Sequence, residues 1–130
     1  MARRIKIKDL AKTIEDINTL FLQDFVYELG ERVVDRTPVR DGTLKGSNAI
    51  SLNGAKATIG SPDPSGGGTK SNMRSVAKHA DIGDDIYITN GAPYAQEVEK
   101  GSSKKAPNGF MLRSATEAQN IAKKSAKKVK

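Results

Sequence analysis

From Asp9 to Asp35 apolar side chains recur every three or four residues: Leu10, Ile14, Ile17, Phe21, Phe25, Leu29 and Val33, with Lys12, Glu15, Asp16, Asp24, Glu28 and Glu31 mostly between them. That spacing is the period of an amphipathic α-helix with one face turned to a core. At 1.5 Å per residue it predicts a helix about 40 Å long, which is long for so small a domain. Leu20, Leu22 and Val26 broaden the apolar band beyond one stripe. The helix is therefore expected to touch a second surface, belonging to another subunit. Asp9 is placed to cap its start, and Pro38 disfavours helical geometry at Thr37 and so ends it. Gly30 weakens the last turns.

Beyond Pro38 the period changes. Residues 37–47, TPVRDGTLKGS, form a turn-rich connector in which Pro38 stiffens the chain and Asp41-Gly42 makes a tight turn. Asn53-Gly54 then sits between Ile50 and Leu52 on one side and Ala55, Ala57 and Ile59 on the other, the pattern of a two-stranded hairpin. Residues 61–75 hold two prolines and three consecutive glycines and predict a long mobile loop. Ile86 and Ile88 alternate with Tyr87 and Thr89 as a third strand. A short helix near 92–100 ending at Gly101 and a C-terminal helix over 112–127 complete the reading. The fold class is α+β, with the long N-terminal helix packed on a small antiparallel sheet.

Composition changes this picture in one respect. Only 36% of the 130 residues are hydrophobic and 5% aromatic, with no Trp, so the core is thin and sharing of apolar surface between copies is expected. The length suits one domain, residues 1–130, with a basic arm at 1–8, the loop at 61–75 and a Lys-rich tail at 122–130. Cysteine is absent, which excludes disulfides and thiolate sites. Acidic residues follow the basic N-terminus where a signal peptide would be apolar, and no run approaches the roughly 20 apolar residues of a membrane span. A soluble protein made in the cytoplasm is expected.

The net charge of +7 gathers at the ends. Arg3, Arg4, Lys123, Lys124, Lys127 and Lys128 are the candidates for facing DNA, where they would neutralise phosphates without reading sequence. No aromatic residue lies among the lysines to stack on bases, which favours plain solvated tails.

Candidate chemistry is nearly present and fails. GGGTKS at 66–71 lacks the glycine before the lysine and the buried strand of a phosphate loop. Ser75-x-x-Lys78 has none of the companion motifs of the penicillin-binding enzymes. His79 beside Asp81 has no recognisable nucleophile to serve. Asp81, Asp84 and Asp85 do not have the spacing of a calcium loop. No catalysis, cofactor or metal is expected.

Two segments do carry a resemblance. Thr37, Pro38, Val39, Asp41, Gly42, Leu44 and Ser47 follow the long helix. Asn90, Pro93, Tyr94, Ala95, Glu99, Gly101, Ala106, Pro107, Gly109 and Met111 precede the last one. In this order, across about residues 10–125, they resemble the neck and tail-component proteins of tailed bacteriophages, the group that includes tail completion and head–tail joining proteins. The stretch 62–70 belongs to no pattern of that family. The resemblance implies a structural subunit of the virion, assembled in the host cytoplasm into a ring of six or twelve copies between head and tail. Its partners would be other neck, connector and tail proteins and, non-specifically, DNA in the lumen. Phe21, Phe25, Tyr94, Glu99, Lys104, Lys105 and Met111 are the candidates for subunit contact, with Glu99 facing Lys104 or Lys105 of a neighbour. The alternative is a small basic nucleic-acid-binding module.

Overall fold

The computed structural model describes residues 6–101 and 109–128. Its organising element is α1 (Ile7–Arg36), which begins after Lys6 rather than at an Asp9 cap and stops at Thr37 as the following proline requires. Then come α2 (Thr43–Gly46), β1 (Asn48–Leu52), α3 (Gly67–Ala77), β2 (Ile86–Asn90), α4 (Ala95–Glu99), α5 (Met111–Ala115) and α6 (Ala118–Lys128). The class is α+β, as the pattern predicts.

β1 and β2 pair antiparallel, with Ile50 opposite Ile88 and Asn48 opposite Asn90. The hairpin expected at Asn53-Gly54 does not form. A type I′ turn needs positive φ at both central residues, and only Asn53 adopts it, at 60°. Asn53 instead binds the chain before β2: its backbone N–H donates to the Asp85 carbonyl (2.6 Å), and its side-chain oxygen accepts from the Asp85 N–H (3.0 Å). Ile86 and Ile88 bring more apolar surface to β1 than Ala55 and Ala57 would, so the distant strand wins the pairing. Residues 55–60 run back as irregular chain, with Thr89 Oγ1 donating to the Lys56 carbonyl and Gly60 N–H to Ser47 Oγ.

The glycine-rich stretch is the start of a helix. Asp63 accepts hydrogen bonds from Thr69 N–H (2.8 Å) and Thr69 Oγ1 (2.7 Å), and these contacts, the hydroxyl first, hold its carboxyl below the usual range. Gly66 turns the chain with φ at +79°, and a Cβ there would meet Val34 Cγ1 at 2.7 Å. From that turn Thr69, Met73 and Ala77 recur at four-residue steps and bury one face of α3 against α1. Across the same seam Lys70 pairs with Asp35, and the Arg74 guanidinium lies 4.4 Å from the centre of the Tyr27 ring.

Two apolar clusters meet along α1. Val26, Val34, Ile50, Met73 and Ala77 form one. Val33, Leu44, Ala92, Ala95, Val98 and Phe110 form the other, with Ile88 packed against both. Gly30 lets the elements close up: a Cβ there would stand 2.9 Å from Met73 Sδ and 3.0 Å from Ile50 Cδ1. All of this lies beside the second half of α1. Every described side chain from Ile7 to Asn18 is exposed, and the body takes hold only from Leu22 and Gln23, whose amide donates to the carbonyls of Lys78 and Ala80 at the end of α3.

The two kinds of glycine in the 66–68 run separate in a melting experiment. Gly66→Ala places a side chain at positive φ against Val34 and is expected to cost at least about 1–2 kcal/mol. Gly68→Ala, inside the helix and meeting only ordinary contacts, is expected to be neutral or to stabilise by up to about 1 kcal/mol. Equal effects of both would show that the run is not the helix start described here.

Candidate functional site

The two sequence segments that carry the phage resemblance meet in space through a chain of amides and hydroxyls. Thr37 Oγ1 donates to the Val33 carbonyl (2.6 Å) and accepts from Asn48 Nδ2 (2.8 Å). Asn90 Nδ2 donates to Asn48 Oδ1 (3.0 Å) and to the Leu44 carbonyl (2.7 Å), and its own oxygen accepts from Ala92 N–H (3.0 Å). Thr37 and Asn48 are buried, and unpaired amides there would cost far more than the bonds contribute net. One run of polar contacts thus ties the end of α1, the α2 turn, both strands and the entry to α4. Asp41 accepts from Thr43 N–H (2.9 Å) where the chain enters α2, and Gly42, at φ +93°, passes so near Pro64 that a Cβ would stand 2.5 Å from its nitrogen.

Glu99 does similar service for the last two helices. Its carboxylate accepts from the backbone N–H groups of Phe110 (2.8 Å), Met111 (2.9 Å) and Leu112 (2.7 Å), the donors that open α5. Gly109 makes the approach possible: at φ +80° it lies so close that a Cβ would sit 2.7 Å from Glu99 Oε1. Burial works against the charge, but the amides of Met111, Leu112 and Phe110 together outweigh it, and the carboxyl is held below its ordinary value. Glu99, expected to face a neighbour's lysine, thus has a role within its own chain, and Lys104 and Lys105 lie outside the described residues.

The other candidates divide. Met111 packs on the Val33–Phe110 cluster. Phe21 and Phe25 stack on each other, ring centres 6.3 Å apart, half-buried on α1. Tyr94 is exposed at the start of α4. Among the DNA-facing candidates, Lys123, Lys124 and Lys127 project from the solvent side of α6. Lys128 turns inward to Glu28 (3.0 Å) and Asp24 (3.4 Å) of α1. Arg3 and Arg4 lie outside the described residues.

No catalytic arrangement assembles among the described residues. His79 is exposed, Ser75 Oγ donates to the Ser71 carbonyl, and Asp84 binds the Asp81 N–H and the Asn53 amide. No group of three metal-ligating side chains occurs there, and no helix is long and apolar enough to cross a membrane. An open groove of about 500 Å³ runs between β1, α3 and the chain at 58–63, with Asn48, Thr69, Asn72 and Met73 among its walls.

Two features lie outside the residues singled out above as contact candidates. The exposed apolar stripe is confined to the free half of α1, at Ile7, Ile14, Ile17 and Leu20. At the opposite end, Glu117 binds both Arg32 and Arg36. The first was legible as a helix face with too little chain to cover it. The second joins residues 85 positions apart and has no local signal.

Removing the Glu99 cap tests its role as a fold element. Glu99→Ala leaves three amides without their acceptor and is expected to cost about 1–3 kcal/mol, read by denaturant unfolding. Because the folded pKa lies below the unfolded one, near 4.5, the contribution is complete above that pH and is lost as pH falls through the lowered value. The gap in stability between wild type and Glu99→Gln should therefore narrow on acidification below about pH 4.5. A gap that stays constant from neutral to acid pH would contradict the cap.

Compared with protein families, with curated proteins and with solved structures, the chain matches none.

Proposed function

We propose that this chain is a structural component of a tailed-phage virion, a neck or tail completion protein that works as a ring of identical copies joining head to tail. The observation that carries the reading is the bare half of α1. Ile14, Ile17 and Leu20 are 52%, 41% and 55% exposed on a helix whose other half is sealed into the core. A run of exposed apolar side chains along one helix face of a small domain marks a protein contact. A helical segment of about 14 residues without tertiary support is marginal in water. The order of the Thr37–Ser47 and Asn90–Met111 segments supports the family. Most of the residues that carry the resemblance work here as turns, caps and latches, so it is the subunit's scaffold that the motif would specify.

A function of this kind needs no pocket chemistry. It needs a rigid body, a contact that repeats, and a surface facing the lumen that tolerates passing DNA. Lys123, Lys124 and Lys127 on the outer side of α6 suit that last role, since contacts to phosphate alone bind without sequence choice and weaken with salt. The same lysines favour the second reading, a small nucleic-acid-binding module.

Purified protein at about 100 μM, examined by light scattering and negative-stain microscopy, is expected to form closed rings. Ile14→Asp with Ile17→Asp should abolish them while leaving the melting temperature of the body unchanged within a few degrees, because both positions are exposed. A monomer at that concentration with steeply salt-dependent DNA affinity would overturn the ring and favour the module. Disruption of the coding gene in its phage should leave filled heads and tails unjoined.

A further inference from the structure

The free half of α1 offers more than apolar surface. On a helix Asp9, Thr13, Asp16 and Leu20 share one side, so two carboxylates run along the edge of the exposed stripe. Neither Asp9 nor Asp16 has an ion-pair partner among the described residues.

The opposite end of the subunit has the reverse imbalance. Glu117 spends one oxygen on Arg32, at 2.5 Å, and the other on Arg36. Arg113 stands near enough that, after burial, its charge and that of Arg32 pull the Arg36 pKa below its ordinary value. Arg36 Nη1 is buried with no hydrogen-bond partner among the described residues. Two guanidiniums thus share one carboxylate with a third close by, and the positive N-terminal end of α6 starts at Ala118, directly after Glu117. Beside Arg113, Leu112 is 68% exposed. An unsatisfied cation cluster next to a bare leucine is the counterpart of carboxylates next to a bare isoleucine stripe.

The two surfaces of one copy cannot meet each other, because Asp16 and Arg32 are separated by about 24 Å along the same helix. Pairing two free halves with each other would cover the stripe but leave the arginines and Leu112 open. A phosphate would satisfy the arginines and leave both apolar patches open. One occupant answers all of them.

We infer that the N-terminal half of α1 in one copy docks on the α5–α6 corner of the next. Its Asp9–Asp16 edge meets the exposed Arg113 beside the Arg32–Glu117–Arg36 group, and its apolar stripe covers Leu112. Donor and acceptor surfaces are different parts of the same chain, so the contact is head-to-tail and propagates into a ring or a filament. The inference rests on the assembly reading above and names the surfaces that carry it.

Charge reversal in the full chain tests it by sedimentation velocity. Asp9→Lys with Asp16→Lys is expected to weaken self-association roughly tenfold or more, as loss and repulsion of close interface charges do. Arg113→Glu, at an exposed position outside the Glu117 pairs, is expected to do the same. Combining the three substitutions should restore association, with each melting curve unchanged as the control for folding. Wild type that assembles together with charge variants that assemble equally well overturns the inference and leaves the ring reading standing. Failure of the combined variant to recover overturns it as well. Loss of duplex-DNA binding in Arg113→Glu with self-association intact would assign the arginines to phosphate and overturn it too. A wild type that never associates removes the assembly reading and the inference together.

Discussion

Thirty helical residues span about 45 Å, and a chain with little more than a third of its residues apolar has too little material to cover such a rod along its whole length. The body solves half of the problem. Two strands, α3 and the short C-terminal helices gather against α1 from Leu22 onward, and the two apolar clusters lie side by side along that stretch. The remaining half keeps an apolar stripe in water, which a protein retains only if something else covers it. Everything inferred about function follows from that imbalance: one end of the helix is a subunit's spine, the other its reach toward a neighbour.

A thin core makes the polar contacts matter more. With small residues such as Ala77, Ala92 and Ala95 in the core, the registry of elements depends on the Thr37–Asn48–Asn90 chain and on the Glu99 cap. These contacts are satisfied at nearly every donor, the condition under which buried polar groups specify one arrangement. Close approach also explains why glycine stands at 42, 66 and 109: at each, the chain turns through positive φ where a Cβ would collide with Pro64, Val34 or Glu99. Lys128, drawn to Asp24 and Glu28, and Lys70, drawn to Asp35, give α1's acidic side partners in α6 and α3.

Where local periodicity ruled, the sequence was readable. The long helix, its end before Pro38, the strand at Ile86–Asn90 and the short helix before Gly101 all follow from spacing and turn chemistry alone. It misled where a strong local signal met a stronger distant one. Asn53-Gly54 announces a hairpin, yet β1 pairs with a strand more than thirty residues on because isoleucines outweigh alanines across the ladder. The three glycines at 66–68 announce a loop, but Asp63 and Gly66 build a helix start, and the Thr69–Met73–Ala77 period beneath the glycines carries the helix. Glu99 looked like an interface charge, since nothing local says that the chain returns at Gly109 to place three amides around it. The arginine cluster at Glu117 was invisible, being made of residues brought together only by the packing of α5 and α6 on α1.

In an assembly of this kind the free half of α1 is covered by another copy, and no described residue of its own chain covers it. Amide hydrogen exchange at residues 11–20, followed against protein concentration alongside residues 26–34 as an internal reference, measures this directly. Fast exchange is expected in the free half when dilution leaves only single subunits and strong protection once they associate, while the reference stays protected throughout. Equal protection of both halves in a demonstrably single subunit would contradict it.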